Sequence, residues 1–143
     1  MIRNEFKQDI GVVLLGTFFW GVLLVLCDVT RGADLRPLFD AIRQVETGNM
    51  RNPAAAVGDQ GRSIGPYQIQ RAYWKDSGVP GRYEQVRERA YAERVMVGYW
   101  KRYQPDALKR GDFETLARAH NGGGHFSRRL TDGYWRKVRG KLR

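Results

Sequence analysis

Between residues 34 and 48 the apolar positions fall at helical spacing: Leu35, Leu38, Phe39, Ile42 and Val45 stand at i, i+3, i+4, i+7 and i+10. The pattern predicts a helix capped by Asp34, with Pro37 in its first turn and Gly48 at its stop. Glu46 then falls in the last turn. Residues 48–66 are rich in Gly, Asn and Pro and contain Gly58-Asp59-Gln60-Gly61, which reads as a small irregular β-hairpin or long turn system. Pro66-Tyr67-Gln68-Ile69 follows, then a short helix through Tyr73-Trp74. A longer helix is predicted over residues 83–103, with Val86, Ala90, Val97 and Trp100 facing inward. Asp112 caps another (Phe113, Leu116, Ala117, His120) that ends at Asn121-Gly122-Gly123-Gly124, and residues 126–143 read as a basic C-terminal helix. The fold class is α+β, mostly helical, with no internal repeat.

A different pattern occupies the N-terminus. The run 10–26 (IGVVLLGTFFWGVLLVL) carries no charge and is bracketed by Asp9 and Asp28. As a helix it spans about 25 Å, the short end of what crosses a bilayer. It is longer than a usual secretory core, so its length leans towards an uncleaved anchor over a signal peptide, with a buried core helix as the plain alternative. Either of the first two exports the rest of the chain, membrane-anchored through residues 10–26 or released. The expected division is therefore 1–33, anchor or signal peptide plus linker, and 34–143, a folded domain.

Charge sharpens the picture. The chain of 143 residues carries a net +10, and residues 1–33 cancel internally, so residues 34–143 hold the whole excess, 22 basic against 12 acidic side chains. Such a domain seeks a polyanion: nucleic acid, an anionic membrane or a negatively charged cell wall. Export disfavours nucleic acid. The single cysteine, Cys27, excludes an intrachain disulfide and a Cys-based zinc site, and two histidines, His120 and His125, are too few for a His-rich metal cluster. No metal or cofactor is expected.

Two carboxylates are candidates for chemistry. Glu46 stands at the negative end of a helix dipole, which disfavours its charged form; if Ile42 and Phe39 also shield it, it would keep its proton toward neutral pH, as a general acid requires. An exposed helix-end glutamate is the alternative. Asp59, in a glycine-flanked turn, would stay solvated and ionised; the alternative is a turn-forming Asx residue. One protonated and one charged carboxyl group across a cleft is the requirement of glycoside hydrolysis.

The surroundings of the pair carry a resemblance. Glu46-Thr47-Gly48, the stretch Asp59-Gln60-Gly61-Arg62-Ser63-Ile64-Gly65-Pro66-Tyr67-Gln68-Ile69, and Tyr73-Trp74-Lys75-Asp76 occur in order. They are followed by Tyr99-Trp100-Lys101-Arg102-Tyr103, Ala117-Arg118-Ala119-His120-Asn121-Gly122-Gly123 and Thr131-Asp132-Gly133-Tyr134-Trp135. From about residue 38 to 138 the chain resembles the invertebrate-type lysozymes, the destabilase family. It departs from the animal members in its cysteines: they are densely cross-linked, and here none follows Cys27. Each missing bridge forgoes about 2–4 kcal/mol, which apolar packing must replace.

The resemblance implies a lysozyme-like fold with a small β-hairpin carrying one active-site carboxylate. It implies hydrolysis of the β-1,4 bond between N-acetylmuramic acid and N-acetylglucosamine of peptidoglycan, or of a chitin-like oligosaccharide. Glu46 would be the acid and Asp59 the nucleophile or ion stabiliser. Ser63, Tyr67, Gln68, Ile69, Tyr73, His120, Asn121 and Gly122 would contact the substrate. Some animal members also cleave isopeptide bonds through a serine and a histidine, for which Ser63 and His120 are the nearest matches; that side activity is not expected here. A lytic transglycosylase using Glu46 alone and a non-catalytic wall-binding protein remain open at this point. Three Tyr-Trp pairs (73–74, 99–100, 134–135) suggest one core and one rim residue each, with the tryptophans inward.

Overall fold

A computed structural model describes residues 32–48 and 50–143. The apolar run 10–26, read above as an anchor or signal peptide, lies outside the described residues. Among the described residues no helix is long and apolar enough to cross a membrane.

The first helix, α1 (Arg36–Thr47), forms where the periodicity places it and buries Leu38, Phe39, Ala41 and Ile42. Asp34 lies one residue outside the cap position, which Leu35 occupies. Its carboxylate still accepts the Arg36 backbone N–H at 3.1 Å and clasps the Arg36 guanidinium. Gly48 ends the helix at φ +52.

The expected hairpin is part of a three-stranded antiparallel sheet of β1 (Val57–Gly58), β2 (Ser63–Ile64) and β3 (Ile69–Gln70), in the order β1-β2-β3. Val57 pairs with Ile64, and Ile64 with Ile69. Two-residue strands cannot stand alone; Ile64 and Ile69 anchor the sheet by entering the core. The β1–β2 connection is a 3₁₀ turn, Asp59–Gly61, in which Asp59, Gln60 and Gly61 all take positive φ. Ahead of β3 the chain turns at Gly65 (φ +80), where an added Cβ would come within 2.5 Å of the Val86 carbonyl, so only glycine fits.

After α2 (Arg71–Ser77) the predicted long helix is broken. Tyr83–Arg87 is a 3₁₀ segment, Glu88 is extended, and α3 runs Arg89–Tyr103. Val86 and Trp100 are buried as expected, but the inward face of α3 is Tyr91, Ala92, Val95, Met96, Tyr99 and Trp100. Ala90 is exposed and Val97 only partly covered, because the break resets the helical face at Arg89. A short helix α4 (Pro105–Arg110), started by Pro105 and stopped by the left-handed Gly111, has no counterpart in the sequence reading. Asp112 caps α5 (Phe113–Gly122) as predicted, accepting the Thr115 N–H at 3.0 Å. The C-terminal helix α6 (Arg128–Arg139) is shorter than residues 126–143.

The core centres on Trp100, whose ring stacks on Phe39 at 5.8 Å. Only this tryptophan is fully buried among those described; Trp74 and Trp135 are partly exposed, and Tyr99 is buried beside Trp100, so the core-and-rim expectation fails for that pair. Arg118, its side chain 5% exposed, clasps α5 to α6. It donates to Glu114, the Arg128 carbonyl, Thr131 and Asp132 at 2.8–3.2 Å. In a domain without disulfides this polar clasp joins α5 to α6 beside the apolar contacts of Leu116, Ala117, Ala119 and Val138.

Candidate active site

A cleft of about 400 Å³ opens between the sheet, α2 and α5. Glu46 and Asp59 both line it, together with Ser63, Gln68, Ile69, Gln70, Ala72, Tyr73, Asp76, Tyr99, His120, Asn121 and Gly123.

Glu46 enters from the last turn of α1 with its side chain 19% exposed. Burial pushes its pKa above the ordinary carboxyl value, and the Asp59 charge pushes the same way. A hydrogen bond from the Tyr134 hydroxyl to Oε1 at 2.7 Å and the charge of Lys137 pull it back without reversing the shift. The sequence expectation of a raised pKa agrees in direction, while the groups that touch the carboxyl are Tyr134 and His120 from the far end of the chain.

Asp59 is exposed and held oppositely. Oδ2 accepts from Ser63 Oγ at 2.6 Å and from Gln70 Nε2 at 3.1 Å. These two donors, with Arg62 nearby, lower its pKa. The hydrogen bonds also fix a carboxylate that sits on positive-φ backbone, a conformation costing non-glycine residues about 1–3 kcal/mol.

His120 is buried, and burial drives its pKa down to about 4. Its Nε2 lies 3.1 Å from the Tyr67 carbonyl, which can only accept, so Nε2 carries the proton and Nδ1 accepts from the Tyr73 hydroxyl at 3.4 Å. The 3.7 Å approach of Nε2 to Glu46 is therefore a neutral contact and not an ion pair. Tyr73 in turn stacks on Tyr99 with centroids 3.7 Å apart.

Most of the predicted contact residues converge: Ser63, Gln68, Ile69, Tyr73, His120 and Asn121 all line the cleft. Two do not. The Tyr67 side chain is fully buried and donates to Glu93 at 2.6 Å, away from the cleft, leaving only its carbonyl to orient His120. Gly122 is turned into the α5–α6 contact, where a Cβ would meet Thr131 and Phe126; Gly123 lines the cleft in its place. Ser63 and His120 are not joined: the serine is committed to Asp59 and the histidine to Tyr67 and Tyr73.

Sequence reading missed Gln70, Asp76, Tyr99 and Tyr134. Gln70 lies one residue past the Tyr67-Gln68-Ile69 stretch, and because Gln68 sits on left-handed backbone outside β3, strand alternation could not have found it. Nothing local marks Tyr134, whose partner lies 88 residues away. Among the described residues no group of three or more His, Cys, Asp or Glu is gathered as metal ligands would be.

No protein-family model matches the chain. Lysozyme 1 of Crassostrea virginica is 40% identical over 79 residues, which cover 53% of this chain and 43% of the oyster protein. The chain thus spans less than half the length of that relative. A crystal structure of Aeromonas hydrophila PliI in complex with Meretrix lusoria lysozyme matches at 30% identity and a TM-score of 0.62, covering 73% of this chain and 88% of that one. Tapes japonica lysozyme matches at 29% identity and a TM-score of 0.58, over 72% and 86% of the two chains. With the ordered motifs, the helix-and-hairpin frame and the paired carboxylates already in place, these likenesses show that the chain belongs to the invertebrate-type lysozyme family.

Proposed function

We propose that the chain is a peptidoglycan hydrolase that cleaves the β-1,4 bond between N-acetylmuramic acid and N-acetylglucosamine. The observation that carries this reading is the opposed environment of two carboxyl groups in one cleft, Glu46 shifted up by burial and Asp59 shifted down by two hydrogen bonds. Glu46 protonates the departing glycosidic oxygen, and Asp59 attacks the anomeric carbon or stabilises the oxocarbenium ion. Ser63 and Gln70 keep Asp59 ionised, and neutral His120 with Asn121 and Tyr73 forms the opposite wall. The substrate lies outside the cytoplasm, so the reading includes export of the domain.

The test is digestion of purified cell walls with mass spectrometry of the products. Reducing muramic ends support the hydrolase. Anhydro-muramic ends would mean a transglycosylase, in which Asp59→Asn leaves the rate intact, and absence of products would mean a wall binder. Glu46→Gln should lower the rate by about 10²–10⁴-fold, the usual worth of general acid catalysis.

A further inference from the structure

Tyr134 reaches Glu46 from behind. Its hydroxyl donates to Oε1 at 2.7 Å, yet Tyr134 does not line the cleft. His120 Nε2 lies 3.7 Å from the same oxygen, but its proton is directed at the Tyr67 carbonyl. Every polar contact to this carboxyl group from the described residues therefore falls on Oε1, and none falls on Oε2. An oxygen that is already accepting a hydrogen bond is the poorer site for the acidic proton.

We propose that Tyr134 is a positioning residue for Glu46: by occupying Oε1 it confines the acidic proton to Oε2, the oxygen left free for the glycosidic bond. The inference rests on Glu46 being the general acid. In the step itself the Oε2–H bond breaks, the proton passes to the leaving oxygen, and the electron pair stays on Oε2. Tyr134 neither gains nor loses a proton; its hydrogen bond tightens because the acceptor has become a carboxylate. Burial and the adjacent Glu46 keep the phenol protonated throughout.

The groups facing Glu46 are Tyr134 and Lys137 from α6, His120 from α5 and Asp59 from the β1–β2 turn, and Tyr73 on the cleft side acts on Tyr134. Lys137 and Tyr134 favour its charged form, Asp59 and burial its neutral form, and His120 is uncharged.

Tyr134→Phe removes one hydroxyl and keeps the ring. Because the bond is stronger to the carboxylate than to the acid, its loss should move the alkaline limb of kcat upward by about 0.5–1 pH unit. Sharing the proton between two oxygens costs up to about twofold, and a carboxyl group no longer held in orientation costs the rest, so kcat at the optimum should fall about 3- to 10-fold. A merely loosened site moves the limb the other way, since water entering the cleft relieves the desolvation of Glu46. A limb that stays or falls overturns the proposal, and so does an unchanged kcat. Carbon NMR titration of the Glu46 carboxyl in both proteins reads the same shift without substrate, and an unmoved titration there likewise overturns it. A wild-type protein that cleaves no glycan sinks the functional reading alone, and the NMR titration still decides whether Tyr134 governs Glu46.

Discussion

Ser63 donates its hydroxyl to Oδ2 of Asp59 at 2.6 Å, from β2 back onto the turn that precedes it. The serine is buried and the aspartate exposed, so the small sheet holds a solvated carboxylate at one fixed orientation. The antiparallel register makes this possible: Gly58 pairs with Ser63 and Ser63 with Gln70, which sets both donors beside the same turn. The sheet thus favours the charged form of one carboxyl group, while burial at the end of α1 shifts the other toward its neutral form.

Ser63→Ala should therefore shift the acid limb of activity. Asp59 must be ionised to act, and the lost donor is the largest cause of its lowered pKa. Its pKa rises in the variant, and the limb should move upward by about one pH unit. An acid limb that stays in place would separate Ser63 from the ionisation of Asp59.

His120 predicts a pH dependence of stability. Its pKa is about 4 in the fold, against about 6.5 in an unfolded chain. The unfolded state takes up a proton first as pH falls, so stability is fully present above about pH 6.5 and declines down to about pH 4. The roughly 2.5-unit difference corresponds to about 3 kcal/mol. Denaturant melts of His120→Gln across this window should show a flatter profile than wild type; parallel profiles would refute it.

Glu46 works in the opposite sense. Its folded pKa lies above the unfolded one, so ionising it at neutral pH costs stability that is present only below the ordinary carboxyl range. Glu46→Gln should melt a few degrees higher than wild type at pH 7 and lose that gain below about pH 4. A variant that melts lower at pH 7 would show that the carboxyl is not strained by its burial.

The legibility of these features follows the range of the interactions behind them. Helix α1, the cap at Asp112 and the glycine-flanked turn at Asp59 are local: spacing, a capping side chain and turn residues within a few positions define them. The break at Glu88 and the third strand depend on tertiary contacts, such as the Tyr83 hydroxyl donating to the Ile69 carbonyl at 2.7 Å. The side-chain direction of Tyr67 was illegible for the same reason, since Glu93 captures it from α3. Ordered motifs brought both carboxylates and six contact residues to one cleft, but the residue behind the acid came from α6.

Arg118 tests what replaces the missing disulfides. Arg118→Met removes four hydrogen bonds to α5 and α6, and should destabilise the fold by about 3 kcal/mol and lower Tm by more than about 10 °C. Arg118→Lys should recover only part of this, because one ammonium cannot reach acceptors on several sides of a planar guanidinium. A melt within about 2 °C of wild type for Arg118→Met would show that apolar contacts alone join the two helices.

The basic surface makes a separate prediction, about the wall rather than the bond. Along α6 and the segment after it, Arg128 pairs with Glu114 and Arg136 with Asp132. Lys137 acts on Glu46 and so cannot be changed without touching the site. Arg129, Arg139, Lys141 and Arg143 are exposed and have no ion-pair partner among the described residues. Their charge should draw the protein to an anionic wall at low salt and be screened as the Debye length falls from about 30 Å at 0.01 M to about 10 Å at 0.1 M. Cleavage of intact walls should then fall as salt rises, while cleavage of a small neutral chitooligosaccharide hardly changes. Replacing the four residues by glutamine should flatten the wall curve and leave oligosaccharide turnover as it was. If both substrates lose rate equally with salt, the charge is not steering the protein to the wall, and salt acts on the cleft or the fold instead.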